Sequence, residues 1–256
     1  MTGILRVFFA SAVVQMRTQR SLVLIIIGIA QPAIFLAVTL LARRTGNQVQ
    51  PASLALGICL VSLWGATIWQ TGFVLQSERV DGTLAPVLSR PANLGAVLVG
   101  KAAASTIRSL LFVVPTVAVT MLVAREPLPV AAPGAMVAAA LAVVVSATVF
   151  GLLVGSLFVL TRAAYRIAEA AAYPVFILGG LVLPPELLPG WLQPVAWGVS
   201  LHWGAELLSA AAAGVPPPGT AWPMLAGTTA AYGLIAAWLF ERMVNRVRRD
   251  GTLELY

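Results

Sequence analysis

Charge is scarce in this sequence. Only 10% of residues are Asp, Glu, Lys or Arg while 59% are hydrophobic, against about 25% charged in soluble domains, and that balance excludes a water-soluble fold. Acids are scarcest, nine against sixteen bases, and Lys101 is the only lysine. Glu169 is the one acid inside an apolar run. Proton-driven pumps carry more ionisable groups at membrane depth than this. The +7 net charge lacks the polar and aromatic neighbours of a nucleic-acid reader, so it points to anionic lipid and topology instead. A lone cysteine, Cys59 in an apolar run, excludes an intrachain disulfide and leaves the redox compartment unread. A lone histidine, His202, leaves a zinc site short of ligands even with Glu206 one helical turn away, because such a site takes three or four. No Ser/His/Asp set or paired intramembrane carboxylates accompany it.

What the sequence has is long apolar runs. A spanning helix takes about 20 mostly apolar residues, and 256 residues accommodate roughly six. The expected fold is an all-α integral membrane protein with no soluble domain of its own. Residues 1–20 set Ile4, Leu5, Phe8, Phe9, Val13 and Met16 among Arg6, Arg17 and Arg20, the pattern of an interfacial helix. A cleaved signal peptide would instead place its charges ahead of the apolar run. Spans are expected at 22–41, 53–75, 93–123, 135–160, 163–183 and 221–240. Lys101, Ser105 and Arg108 share one face of the third, with the charges expected to project into the cytoplasm or snorkel, Arg108 alternatively facing a wet cavity. Arg166 and Glu169 suit a local ion pair. Residues 185–214 are too broken by Pro189, Gly190 and Pro194 to span, and are expected to form short extracellular helices dipping into the outer leaflet. Trp191, Trp197 and Trp203 suit the interface there, with His202 a polar interfacial residue.

Thirteen of the sixteen basic residues fall on one side if the N-terminus is inside; only Arg43, Arg44 and Arg125 fall outside. Both termini are therefore expected in the cytoplasm.

Two motifs carry little. Gly95 to Lys101 fits the first seven positions of a phosphate-binding loop, but Ala102 replaces the required Ser or Thr and the match lies in a predicted membrane helix. Amides already bonded in a helix cannot cradle phosphate. Gly151-Leu-Leu-Val-Gly155 lets two membrane helices approach closely, within one subunit or between two.

The informative segment is the polar break after the second run, Glu78-Arg-Val-Asp-Gly-Thr-Leu-Ala-Pro-Val-Leu-Ser-Arg-Pro91. Gly82 permits a turn, Thr83 can cap a helix, and Pro86 sits in its first turn. A short cytoplasmic helix over about 84–89 would carry an apolar ridge of Leu84, Val87 and Leu88, suited to a groove on a soluble partner. A capped connecting loop is the alternative.

The run Glu-Arg-x-x-Gly-Thr-Leu after a second membrane helix resembles the coupling-helix signature of ABC-2 exporter permeases, and the likeness extends over nearly the whole chain. The interfacial helix, six spans and Pro-rich segment Leu183 to Leu192 match the layout of that type V ABC exporter-like architecture. Daunorubicin-type drug and antibiotic resistance exporters look most similar in size. The resemblance implies a coupling helix at 78–90 that docks on a separate nucleotide-binding ATPase subunit, present in two copies and holding ATP and Mg, with no cofactor in this chain. It places Glu78, Arg79, Asp81, Gly82, Thr83, Leu84, Val87, Leu88 and Arg90 at that contact. It further implies a second permease subunit, identical or related, a bacterial plasma membrane, and export of an amphipathic drug, antibiotic or lipid-like molecule. From the same layout Gln31, Phe35, Trp64, Gln70 and Phe176 are candidate pathway residues, core packing being their alternative role. Ala85-Pro86 and Val199-Ser200 depart from the family pattern, and Asp250-Gly-Thr-Leu253 repeats the tetrapeptide without joining two spans. The alternatives are a membrane scaffold or sensor docking a regulator through 78–91, and a secondary transporter or channel; no inverted repeat of the latter kind is visible.

Overall fold

The computed structural model describes residues 2–18, 37, 56–57, 60, 63–65, 67, 97, 99–108, 110, 130–160, 175, 178–179 and 188–250. Among these residues all regular structure is helical. Five helices have defined bounds: α1 (Thr2–Thr18), α2 (Pro133–Leu160), α3 (Gln193–Trp197), α4 (Ser200–Ala213) and α5 (Ala221–Asp250).

α2 starts on Pro133, whose missing N–H is harmless at the first helical position. It then runs 28 residues through Val143-Val144-Val145. Valine is a weak helix former, but in hydrocarbon every backbone group must be paired within the segment, which overrides propensity. Hydroxyls inside apolar helices follow the same demand. Thr67, Thr148 and Ser156 each donate to the carbonyl four residues back, Leu63, Val144 and Leu152, at 2.7, 2.8 and 2.8 Å. Among the described residues, two helices are long and apolar enough to cross a membrane, Pro133–Leu157 and Ala221–Arg242. They coincide with the fourth and sixth expected spans. α5 continues helically past the expected span end at 240, through its arginines to Asp250, about 45 Å in all.

The core gathers around α4. Leu201, Trp203, Leu207 and Leu208 of α4 pack with Ala139, Val143 and Ala147 of α2, Ala221 and Leu225 of α5, and Leu60, Leu63 and Trp64. At 14 residues, or about 21 Å, α4 is shorter than a hydrocarbon core of about 30 Å. Ten of those residues are buried, because α2 and α5 both lie against it. Contact is close enough that a Cβ on Gly204 would come within 2.7 Å of Val143 Cγ2, and one on Gly179 within 2.8 Å of Leu201 Cδ2.

The C-terminus of α4 is stitched to the start of α2. Gly214, at φ 70°, turns the chain, and the amides of Gly214 and Val215 both donate to Ala210 O. The next two carbonyls, Ala211 and Ala212, accept from Ala132 and Ala131 at 3.2 Å. These are the groups a helix end otherwise leaves orphaned.

Two sequence expectations are corrected here. Trp203 and His202 are buried, not interfacial, since α4 is covered by neighbouring helices; Trp191 and Trp197 remain exposed as expected. Lys101 and Ser105 are also buried. Their helix does not project freely at this end, because α1 lies across it: a Cβ on Gly100 would collide with the Phe8 carbonyl and Ser11 Oγ. Arg108 is half-buried.

Candidate functional site

The expected ATPase contact, Glu78, Arg79, Asp81, Gly82, Thr83, Leu84, Val87, Leu88 and Arg90, lies outside the described residues, as do Gln31, Phe35, Gln70 and Phe176. Trp64 is described. It is 1% exposed and stacks on Phe150 of α2, ring centroids 4.9 Å apart and planes at 28°. Phe150 in turn meets Tyr232 of α5 at 5.3 Å. Aromatic pairs of this kind contribute about 0.5–1.5 kcal/mol beyond area burial.

Tyr232 carries the cluster on to α4. Its hydroxyl donates to Gly198 O at 2.6 Å, in the link between α3 and α4, and accepts a longer 3.4 Å contact from the Ser200 N–H. That amide opens α4, whose N-cap Val199 offers no side-chain cap. Ser146 Oγ of α2 donates to Ser200 Oγ at 2.8 Å, wholly buried. A second tie closes the turn, the Trp203 indole N–H donating to Trp197 O at 2.8 Å. Ser146, Ser200 and Tyr232 thus fasten the entry to α4 between two long apolar helices, and Trp64 joins the second apolar run to the same point. Chemically this is a positioning cluster: hydroxyls and rings without a nucleophile–base pair.

Tyr232→Phe keeps the ring against Phe150 and removes both hydroxyl contacts. Interhelical hydrogen bonds in membranes are worth about 0.6–2 kcal/mol, so unfolding in detergent should show a loss of that size, and Tyr232→Leu a larger one. If the Phe variant unfolds with the wild type, the hydroxyl does not hold the junction.

His202 sits beside this cluster with Nε2 3.9 Å from Glu206 Oε1 and its ring 4.7 Å from that of Trp203. At 3.9 Å the pair is within ion-pair range but is not hydrogen-bonded. Among the described residues no group of three or more His, Cys, Asp or Glu is gathered. Of the phosphate-loop look-alike, Val97, Val99, Gly100 and Lys101 are described, and all four are helical. Its Gly100 serves the close approach of α1. Gly151 and Gly155 are buried within this chain, so intramolecular packing already covers them.

Compared with known protein families, residues 6–212 match the family described as ABC-2 type transporter. The chain belongs to that family. No curated protein matches it significantly. An ABC-2 chain is the membrane permease component of an ABC transporter, distinct from the nucleotide-binding component, and such permeases generally work with an ATPase subunit and pair with a second permease. The family assignment and the two long apolar helices make this permease a membrane protein. The matched stretch ends at the last turn of α4, yet Tyr232, which holds the entry to α4, comes from α5 beyond it.

Sequence reasoning missed Ser146, Ser200, Phe150 and Tyr232. The only signal was a tyrosine in the sixth apolar run and a serine after three valines, and neither names its partner.

Proposed function

We propose that this permease forms half of the membrane pathway of an ATP-driven exporter that moves an amphipathic drug, antibiotic or lipid-like molecule outward. In this reading six spans cross a bacterial plasma membrane with both termini in the cytoplasm, and α1 rests at the cytoplasmic interface. Exposed Phe9, Val13 and Val14 beside Arg6 support that placement of α1. Two such subunits, identical or related, enclose the pathway, with Gln31, Phe35, Gln70 and Phe176 as candidate lining. Trp64 enters through its stack on Phe150, which links the second span to the seat of α4.

The observation that carries the reading is the polar sequence 78–90, with its turn-forming Gly82 and helix-capping residue type Thr83, between two apolar runs, in a chain whose family supplies the membrane component of an ABC transporter. Its apolar ridge and charged flanks suit a cleft on a nucleotide-binding subunit that binds ATP and Mg. Purification from native membranes tests this. A nucleotide-binding chain encoded beside this one should be retained, and vesicles holding both should export an amphipathic dye only with ATP. Retention of a cytosolic protein without ATPase activity would favour a scaffold or sensor and overturn the proposal.

A further inference from the structure

The end of α5 carries a cation–aromatic pair that the buried core does not use. The apolar part of the helix closes at Arg242. There the Arg242 guanidinium lies 4.0 Å over the ring of Trp238, both side chains exposed. The helix then runs on to Asp250 and holds Arg246, Arg248 and Arg249. At about 100° per residue, Trp238, Arg242, Arg246 and Arg249 fall on one arc of about 80°. Glu241 and Asp250 lie outside that arc, and Arg248 lies on the far side with Glu241. The arc therefore holds three arginine positions and no acidic one.

We propose that this arc is a binding site for the phosphodiester headgroups of anionic phospholipid in the leaflet where α5 emerges. Depth and charge both fit. From Arg242 to Arg249 the helix rises about 10.5 Å, comparable to the headgroup layer of about 5–8 Å that flanks the hydrocarbon core. Exposed tryptophan is at home at that boundary. Guanidinium matches phosphate oxygens two at a time, and its stack on Trp238 holds Arg242 at the level of the phosphates before lipid arrives. A zwitterionic headgroup carries its own cation and cancels most of the attraction. The proposal rests on membership of a membrane family and not on the cargo or the engine, so export assays and lipid binding fail independently.

Full-length protein in nanodiscs of equal phosphatidylglycerol and phosphatidylcholine, released for native mass spectrometry, should retain the anionic lipid in at least about tenfold preference. Arg242→Gln/Arg246→Gln/Arg249→Gln should reduce that ratio to near one, while Arg248→Gln, off the arc, should leave it unchanged. Soluble glycerol phosphate at millimolar concentration should not displace the lipid. An unaltered preference in the triple variant, an equal loss in Arg248→Gln, or displacement by glycerol phosphate would each overturn the site. Should the triple variant not survive purification, wild-type protein at rising salt decides. A preference that collapses by about 1 M, where screening reaches about 3 Å, supports a charge contact at the surface, and one that persists refutes it.

Discussion

Replacing Leu84 by aspartate is expected to abolish ATP-driven export while the permease still folds and reaches the membrane. In the proposed coupling helix Leu84 opens the ridge that Val87 and Leu88 continue, on the polar segment between the second and third apolar runs. If that ridge enters a cleft on the ATPase, its anchors carry most of the interface energy, about 2 kcal/mol or more each, which is roughly thirtyfold in affinity. Aspartate forfeits that burial and adds an unpaired carboxylate, which cannot enter an apolar groove without a further penalty of several kcal/mol. Leu84→Met, similar in volume, should retain export. Gly82→Arg should behave like the aspartate, since it rigidifies the turn and sets a cation beside the ridge. Export and co-purification in vesicles check all three. Full export by the aspartate variant with its ATPase still bound would remove Leu84 from the contact.

Gly214→Val is expected to destabilise the chain by about 3 kcal/mol or more, from two separable causes. At φ 70° a side chain costs about 1–2 kcal/mol, and branching at Cβ raises that. A Cβ there also comes within 2.6 Å of Ala131 Cβ, and overpacking of that kind costs about 1–3 kcal/mol. The backbone cannot simply move away, because Ala131 and Ala132 donate to the last carbonyls of α4. Gly214→Asn, which tolerates the left-handed region, should lose less, and Ala131→Gly should recover part of that loss. Thermal unfolding in detergent followed by tryptophan fluorescence reads each step. A valine variant as stable as wild type would mean that this turn is not fixed.

Long apolar runs announce spanning helices because lipid leaves the backbone no alternative to internal hydrogen bonds, and α2 and α5 are helical over the fourth and sixth of those runs. The reading of 78–90 rests on turn, cap and proline chemistry, which is local, and it falls outside the described residues. α4 was harder. Its Leu201, Trp203, Leu207 and Leu208 read equally well as membrane-facing residues, and only the neighbours decide between lipid and protein. Lys101 misled for the same reason, as charges near helix ends usually escape outward and nothing nearby in sequence announces that α1 crosses its helix. The cluster at Tyr232 joins residues 34 and 54 positions apart, beyond any periodicity.

The hydroxyl of Tyr232 also imposes an order in time. A ribosome adds roughly 5–20 residues each second, so the 34 residues between Gly198 and Tyr232 take about 2–7 s to make. During that interval α4 exists without the side chain that fastens its entry, and the translocation machinery must hold or hide it until α5 arrives. Sealing of this half of the bundle therefore waits on the synthesis of α5. A pause or a premature stop just before position 232 should leave a chain that is inserted but open, and a natural target for the membrane proteases that remove incomplete proteins.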